Sequence, residues 1–393
     1  MTTRDATAPT LPWDAANPYP YYERRRDEGD VVWDAAAGAW LILGYHAAQE
    51  VLGGPGWTSD PLAAPSRPQS LRVLDPDLLR RNMLTTDGAS HQGLRGSVRD
   101  VFTRSFISGL GEGVHAIAGE TIDSMPAGVE FDFMAHIALP LPIAVAAAWL
   151  GLGVESARLL REESPAISRM LSDFGNPAAV DAGTAALATL LTEFLPLAAD
   201  RRTNPTDDLL SFIAGSSDLE LDDVVTTAIV IAIAGHETTA NLLGASMIRL
   251  LSSQDNGRPV DHLDAVDDRV VTELLRLDAP VQAVGRTALC DHTVDDVAIG
   301  AGEWVLVVVA AANRDPAVFA EPEQFQPQRP GPAPLAFGYG THFCLGAALA
   351  RLEIVAALQH LLARRPVLTG DAVWRDTPAI RGPHEVPIVF TGP

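Results

Sequence analysis

The sequence predicts a mainly α-helical fold with a minor β component, and two features of its pattern support this prediction. From about residue 75 to residue 255, apolar residues recur almost entirely at helical spacing, and loops rich in proline and glycine separate the helical stretches. Short strand-like stretches flank this region, near the N-terminus and from about residue 283 onwards. We therefore expect a large helical body with small sheets near both ends of the chain.

The elements follow in chain order from a polar lead, residues 1–15, which we expect to be flexible. The stretch NPYPYYERRRDEGD, residues 17–30, predicts a short helix, and VVWD and AWLILGY predict two strands around the turn-rich AAAG. After the helical region, strands return near residues 283–309 and at EVPIVF close to the C-terminus.

An uncharged run, IALPLPIAVAAAWLGLG, occupies residues 137–153. It is shorter than the roughly 20 apolar residues that a membrane span requires, and it contains Pro140 and Pro142. The run therefore predicts a buried helix, and we expect no membrane span.

The composition narrows the possible partners and compartments. A net charge of −22 disfavours nucleic acid and anionic membrane surfaces, since both would repel the chain. Two cysteines are too few for a disulfide framework or an iron–sulfur cluster. The first residues lack the basic start and apolar core of a secretion signal, so we expect a cytoplasmic protein.

Residues from about 219 to 251 predict the longest helix, which opens with acids and is apolar on every face in its middle. Its centre, AGHETT (residues 234–239), nevertheless contains polar residues that are costly in a core without partners. Two interpretations are open: a kinked structural helix whose threonines bond back to earlier carbonyls, and a functional site. A zinc protease is excluded, because the H-E-x-x-H pattern needs histidine where this chain has Ala240.

A cysteine stands among glycines in FGYGTHFCLG, residues 337–346, just before a helical pattern. The N-terminus of that helix favours the thiolate form of Cys344, and the glycines allow a bulky flat group to approach the backbone. From the residues alone, Cys344 is a candidate nucleophile, redox thiol or metal ligand, or an inert buried thiol. The other cysteine, Cys290, is expected to be an inert packed thiol.

The pattern F-x-x-G-x-H-x-C-x-G closely resembles the haem-binding loop of the cytochrome P450 family. It is formed here by Phe337, Gly340, His342, Cys344 and Gly346. The resemblance implies the cytochrome P450 fold, with haem b (iron protoporphyrin IX, heme b) as cofactor and Cys344 as its axial thiolate ligand. Because no C-x-x-C-H occurs, covalent attachment of the haem is not indicated.

Further motifs extend the resemblance over nearly the whole chain. Glu273 and Arg276 match the family's E-x-x-R, and Arg329 stands where the third member of that charge network is expected. The resemblance implies haem contacts by residues in several segments, most of them propionate or loop contacts. These are His91, Arg95, Ala234, Gly235, Arg286, Phe337, Gly338, His342 and Gly346. Because all these segments must approach one cofactor, we expect a single domain over residues 1–393.

The same resemblance assigns chemistry to the long helix. Ala234 and Gly235 would leave room for dioxygen, while Glu237 and Thr238 match the family's catalytic acid–alcohol pair. This implies a monooxygenase that hydroxylates a small molecule. Three alternatives stay open: a haem-binding sensor or carrier without turnover, a peroxide-driven peroxygenase, and a purely structural helical protein. The presence of Glu237 and Thr238 disfavours the first two.

Such a monooxygenase needs two electrons per cycle, and the chain contains no flavin or ferredoxin segment. A separate ferredoxin and an NAD(P)H-dependent ferredoxin reductase are therefore implied. Since an acidic ferredoxin would be repelled by the overall charge, we expect a local basic patch formed by Arg99, Arg104 and Arg351.

The expected substrate pocket is mostly apolar, which predicts a lipophilic small molecule. Its candidate walls are Val230, Ile233, Ala234, Val281 and Val284.

Overall fold

A computed structural model describes residues 11–63, 79–172, 176–252, 258–263, 265–377 and 379–392. The mainly helical prediction is confirmed, with small sheets on either side of the helical region. The α-helices are α1 Tyr19–Arg26, α2 Tyr45–Gly53, α3 Gly88–Gly96, α4 Arg104–Gly109, α5 Gly111–Asp123, α6 Pro140–Leu150, α7 Val154–Ser172, α8 Pro177–Thr203, α9 Leu209–Ala214, α10 Leu221–Leu251, α11 Asp268–Asp278, α12 Val309–Ala312 and α13 Ala347–Ala363.

The strands lie mostly before and after the helical region, as expected. They are β1 Val31–Asp34, β2 Ala39–Ile42, β3 Trp57–Thr58, β4 Glu130–Asp132, β5 Val284–Ala288, β6 His292–Val294, β7 Val297–Ile299, β8 Trp304–Val307, β9 Pro366–Leu368, β10 Val373–Trp374, β11 Pro383–Glu385 and β12 Pro387–Phe390. The largest sheet has the order β1-β2-β8-β5-β3 and a smaller one the order β4-β12-β9, while β6-β7 and β10-β11 form two-stranded ribbons.

Within the predicted lead of residues 1–15, residues 1–10 lie outside the described part of the chain. Trp13 is buried and its ring packs edge-on against Tyr22 at 5.2 Å between centroids. The lead is therefore anchored to α1 from this tryptophan onwards.

The uncharged run at residues 137–153 forms a π-helical turn, Met134–Ala138, followed by α6. Six α6 residues are buried, so the predicted buried helix is confirmed. Elsewhere, α8 and α10 are long and apolar enough to cross a membrane by length and composition alone. In α10 most of the apolar stretch is buried inside the protein, as in the core helix of a folded domain.

The long helix α10 crosses the interior between two apolar clusters. Its N-terminus is closed by a capping box in which the side chains of Glu220 and Asp223 each accept a hydrogen bond from the other residue's backbone N–H. The first half of α10, as far as Ile233, packs in one cluster with α7, α8 and α9. The second half, from Ala240, packs in another with α5, α11 and α13. Residues 234–239 lie between these clusters, and within them Ala234 and Gly235 are exposed whereas His236 and Thr239 stay buried.

Candidate active site

The cysteine loop is shaped by two short 3-10 turns, Leu335–Phe337 and Gly340–His342. Gly338 and Gly340 both have φ of 74°, which is a left-handed conformation that favours glycine. A hydrogen bond of 2.8 Å from the backbone N–H of Cys344 to the carbonyl of Phe337 closes the loop. The chain then enters α13 at Ala347, so Cys344 lies within one turn of the helix start.

The thiol of Cys344 does not gain a lowered pKa from this position. Burial raises its pKa above the usual value, although the Gly346 N–H and the Arg95 guanidinium act in the opposite direction. The Gly346 N–H at the helix start does act to lower this pKa, as the sequence predicts, but burial outweighs it in the protein alone. A bound cation is what would ionise this sulfur, in keeping with a metal ligand rather than a free nucleophile.

The middle of α10 presents an open face. Ala234 and Gly235 are exposed although they lie in a helix whose neighbouring turns are buried. A Cβ added at Gly235 would meet no atom within 4 Å, and the same holds at Gly346 beside the cysteine. A flat cofactor therefore has room at both positions.

The two predicted catalytic residues have different partners. The Thr238 hydroxyl donates to the carbonyl of Ala234 at 2.8 Å, the back-bonded geometry considered for a structural helix. Its oxygen can still accept a hydrogen bond at the open face. The carboxylate of Glu237 instead forms an ion pair with Arg375, a residue that the sequence analysis did not single out.

The predicted propionate contacts form one cluster. His91 is buried, and its ring lies 4.2 Å between centroids from that of His342. Burial, together with His342 and Arg95, lowers the pKa of His91 to about 4. Its Nε2 is buried and has no hydrogen-bond partner among the described residues. Such an atom needs a partner, and a carboxylate of haem would fit that need.

Two arginines of this cluster, Arg95 and Arg286, have no carboxylate at salt-bridge distance among the described residues. Arg95 donates to the carbonyl of Phe343 at 2.5 Å, and Arg286 donates to the carbonyl of Gly285 at 2.8 Å. Burial lowers the pKa of both side chains, which makes them favourable sites for an anionic group. Together with the orphaned His91 nitrogen and the open space, these cations fit haem.

His342 departs in part from its expected role. Its Nε2 lies 2.8 Å from the carboxylate of Asp87, so this nitrogen is already engaged. Asp87 also accepts hydrogen bonds from the hydroxyl of Thr58 at 2.6 Å and from the backbone N–H of Ser59 at 2.8 Å. Burial opposes ionisation of Asp87, but these bonds bring its pKa well below the usual range. Asp87 therefore ties the cysteine loop to β3 and α3, and only Nδ1 of His342 is left for a ligand.

Sequence reasoning missed Asp87, although a signal was present. Asp87 precedes His91 by four residues and is the N-cap of α3, the usual place for an aspartate. Arg375 had no comparable signal, because it lies 138 residues from Glu237 along the chain.

The predicted charge network of Glu273, Arg276 and Arg329 is present in the structure. Arg276 donates from Nε and Nη2 to the two oxygens of Glu273, both at 2.8 Å, and Arg329 donates to Glu273 at 3.1 Å. At most 7% of each of these side chains is exposed. Burial opposes ionisation of Glu273, yet the bonds from Arg276, Gln326 and Arg329 lower its pKa below the usual value. The network thus holds α11 against the segment that leads to the cysteine loop.

The predicted pocket residues differ in burial. Ile233 is buried in the apolar cluster with α7 to α9, whereas Val230, Val281 and Val284 are partly exposed and Ala234 is exposed. Cys290, expected to be packed, is exposed, with its sulfur 3.5 Å from Nε2 of His292.

The predicted basic patch is partly neutralised by acids. Arg99 and Arg104 are exposed, and Nε of Arg99 lies 3.6 Å from the carboxylate of Asp100. Arg351 is partly buried and pairs with Asp268 at 2.9 Å.

Comparison with known proteins agrees with this geometry. A family model described as Cytochrome P450 matches residues 265–372. The chain is 34% identical over 391 residues to the cytochrome P450 monooxygenase PikC of Streptomyces venezuelae, covering 95% of this chain and 91% of that protein. It is 33% identical to the vitamin D(3) 25-hydroxylase of Pseudonocardia autotrophica, covering 95% and 94% of the two chains.

Among solved structures, the chain is similar to P450BioI in complex with hexadec-9Z-enoic acid ligated acyl carrier protein. The TM-score is 0.87 at 28% identity, and the match covers 95% of this chain and 98% of that one. The chain therefore belongs to the cytochrome P450 family of haem-thiolate enzymes, and it is a monooxygenase.

Proposed function

We propose that Cys344 is the thiolate ligand of haem b and that the enzyme hydroxylates a lipophilic small molecule. The observation that supports this most directly is the grouping of an orphaned His91 nitrogen and two arginines without carboxylate partners at salt-bridge distance around the cysteine loop. One anionic cofactor satisfies all three. When bound, haem supplies the iron at which dioxygen is reduced.

The residues of the chain have distinct roles in this proposal. His91, Arg95 and Arg286 bind the propionates, and His342 contributes through Nδ1. Phe337, Gly338 and Gly346 shape the loop around Cys344, and Ala234 and Gly235 leave space on α10. Thr238 orients the group that receives a proton, and Glu237 supplies that proton. The charge network of Glu273, Arg276 and Arg329 holds the segment that leads to the cysteine loop against α11.

Each turnover combines the substrate R–H with O2, two electrons and two protons to give R–OH and water. We propose that a ferredoxin and an NAD(P)H-dependent ferredoxin reductase supply the electrons, because the chain has no segment of its own for flavin or iron–sulfur binding. Arg99, Arg104 and Arg351 remain the candidate contacts. Charge reversal at Arg104, which is exposed, is expected to lower the rate of reduction at low ionic strength and to matter less at high salt.

The substrate class is lipophilic, because the partly exposed pocket candidates Val230, Val281 and Val284 are apolar. The related vitamin D(3) 25-hydroxylase bears a name consistent with such a substrate. We place the enzyme in the cytoplasm. We treat residues 1–393 as one domain, since the site draws on segments from Asp87 to Arg375.

The decisive test is the carbon monoxide difference spectrum of the reduced protein. The wild-type chain is expected to show the long-wavelength Soret band of a thiolate-ligated haem, and Cys344→Ser is expected to lose it. A Cys344→Ser protein that binds haem and keeps this band would overturn the proposal. Vitamin D3 and hexadec-9Z-enoic acid serve as first probes for a low-spin to high-spin shift of the Soret band.

A further inference from the structure

One side of α10 packs closely against the C-terminal hairpin formed by β10 and β11. Asn241 and Gly244 follow Glu237 by four and seven residues, so the three share one helix face. A Cβ added at Gly244 would lie 2.5 Å from Cγ of Pro383, and one added at Gly382 would lie 2.2 Å from Cγ of Asn241. Such approaches are possible only for glycine, so helix and hairpin are in close contact here.

This contact places Arg375 against the catalytic acid. Arg375 follows β10 directly, and its backbone N–H donates to the carbonyl of Gly382 at 3.1 Å across the hairpin. Its guanidinium pairs with the Glu237 carboxylate, and the two side chains are only 19% and 13% exposed. The carboxylate is therefore held on the hairpin side of α10, whereas Ala234 and Thr238 lie on the open side.

The same contact contains buried polar atoms without partners among the described residues. Both amide atoms of Asn241 are in this state, although its side chain is completely buried beside Gly382. Nε of Arg375 and Nδ1 of His236 are in the same state. The pKa of His236 is lowered mainly by burial and to a smaller extent by the charge of Arg375. Polar atoms buried in this way are usually bound to internal water.

We propose that Arg375 is a positioning residue that holds Glu237 for proton supply, and that water bound at Asn241 feeds this pair from the hairpin side. The inference rests on the proposed role of Glu237. Each turnover consumes two protons for the two electrons delivered by the ferredoxin, and one oxygen atom of O2 leaves as water. Glu237 takes up protons from the water at Asn241 and passes them across α10 towards Thr238. Arg375 acts through Glu237.

The first experiment compares Arg375→Met with Arg375→Lys in the haem-loaded enzyme, with vitamin D3 as probe. With NAD(P)H, ferredoxin and reductase, Arg375→Met is expected to lower kcat and product formed per NAD(P)H by about tenfold. This is less than the roughly 10²- to 10⁴-fold contribution of an acid–base group itself, because Arg375 acts only through Glu237. KM and the carbon monoxide spectrum should stay unchanged, and Arg375→Lys should restore part of the rate. His384→Gln, an exposed position on the same hairpin, is the matched control and should behave as wild type.

Hydrogen peroxide provides the discriminating condition, because it delivers oxygen together with its two electrons and two protons. Arg375→Met should match the wild-type enzyme within about twofold when peroxide replaces O2 and the electron donors, since Glu237 then supplies no proton from solvent. An equal loss under both conditions would overturn the proposal and leave Arg375 with a structural role only. So would a kcat with NAD(P)H that is unchanged in Arg375→Met.

A second readout does not depend on turnover. Thermal unfolding of Glu237→Gln, Arg375→Met and the double variant forms a double-mutant cycle. The double variant is expected to be shifted by less than the two single shifts added together. Additive shifts would refute the positioning contact while leaving the thiolate assignment of Cys344 untouched, so the two proposals fail separately.

Asn241→Leu tests the water at the hairpin. It replaces the amide by an apolar group of similar size, and turnover with NAD(P)H should slow, with a larger ratio of rates in H2O and D2O. An unchanged rate and isotope ratio would remove Asn241 and its water from the proposal.

Discussion

Replacing Arg276 by Gln breaks the buried charge network at its centre. The guanidinium bonds both oxygens of Glu273 and also donates to the carbonyls of Asn313, Pro322 and Gln324. Its side chain is 1% exposed. Removing the guanidinium leaves the Glu273 carboxylate buried, with Arg329 as its remaining cation. Breaking a buried pair in this way costs about 3 to 5 kcal/mol.

That cost converts into a thermal shift. At about 2.1 cal/mol/K per residue, a chain of 393 residues has an unfolding entropy of about 0.8 kcal/mol/K. The thermal midpoint of Arg276→Gln is therefore expected to fall by about 4 to 6 °C. Circular dichroism at 222 nm follows the helices, and the Soret band follows the haem site in the same scan.

The chain contains a matched control for this experiment. Arg258 pairs with Asp261 at the same i, i+3 spacing and also makes two bonds, at 2.8 and 3.0 Å, but the two side chains are 37% and 47% exposed. Arg258→Gln is expected to cost less than about 1 kcal/mol, or about 1 °C. If Arg276→Gln shifted the midpoint no more than Arg258→Gln, the argument from burial would be refuted.

Three further expectations concern the helix and the haem contacts. Burial lowers the pKa of His236 to about 4 against 6.5 when unfolded, so the unfolded chain binds the extra proton first as the pH falls. Stability is then lost below about pH 6.5, by about 2 kcal/mol between pH 7 and pH 5, and urea titrations should show a smaller loss for His236→Gln. Gly235→Ala should raise the thermal midpoint by about 1 °C because alanine favours helix by about 1 kcal/mol, whereas Gly244→Ala should lower it, since its Cβ would lie 2.4 Å from Sδ of Met134. Equal effects at the two glycines would contradict the packing described for α10. His91→Ala should speed transfer of haem to apomyoglobin by about tenfold, because a buried hydrogen bond to a charged group is lost, and an unchanged rate would remove His91 from the propionate contacts.

Local patterns were sufficient to predict much of this molecule. The helix α10, the loop around Cys344 and the α11 segment with Glu273 and Arg276 are each defined by residues close together in the chain, so spacing and residue type reveal them. The boundaries agree closely as well, with α10 beginning at Leu221 where the pattern predicts about residue 219. Strands of two or three residues, such as β3 and β10, carry too little periodicity to be predicted.

Pairings between distant segments could not be predicted in the same way. Nothing near Glu237 indicates that its partner follows 138 residues later on a hairpin. The bond between Asp87 and His342 likewise depends on how α3 packs against the cysteine loop. The net pKa of Cys344 in the protein alone could not be predicted from local patterns for a related reason. The start of a helix is visible in sequence, but the burial that outweighs it is a property of the whole fold.

The fit of Gly340 has a consequence for engineering chimaeras. A methyl group at this position would lie 2.7 Å from the carbonyl oxygen of Leu52 and 2.8 Å from Cα of Gly53, while a Cβ on Gly53 would meet the ring of Tyr339 at 2.9 Å. The cysteine loop and the end of α2, almost 290 residues apart in the chain, thus have closely complementary shapes. Transplanting the ten-residue loop into another scaffold should succeed only when the end of α2 is carried with it.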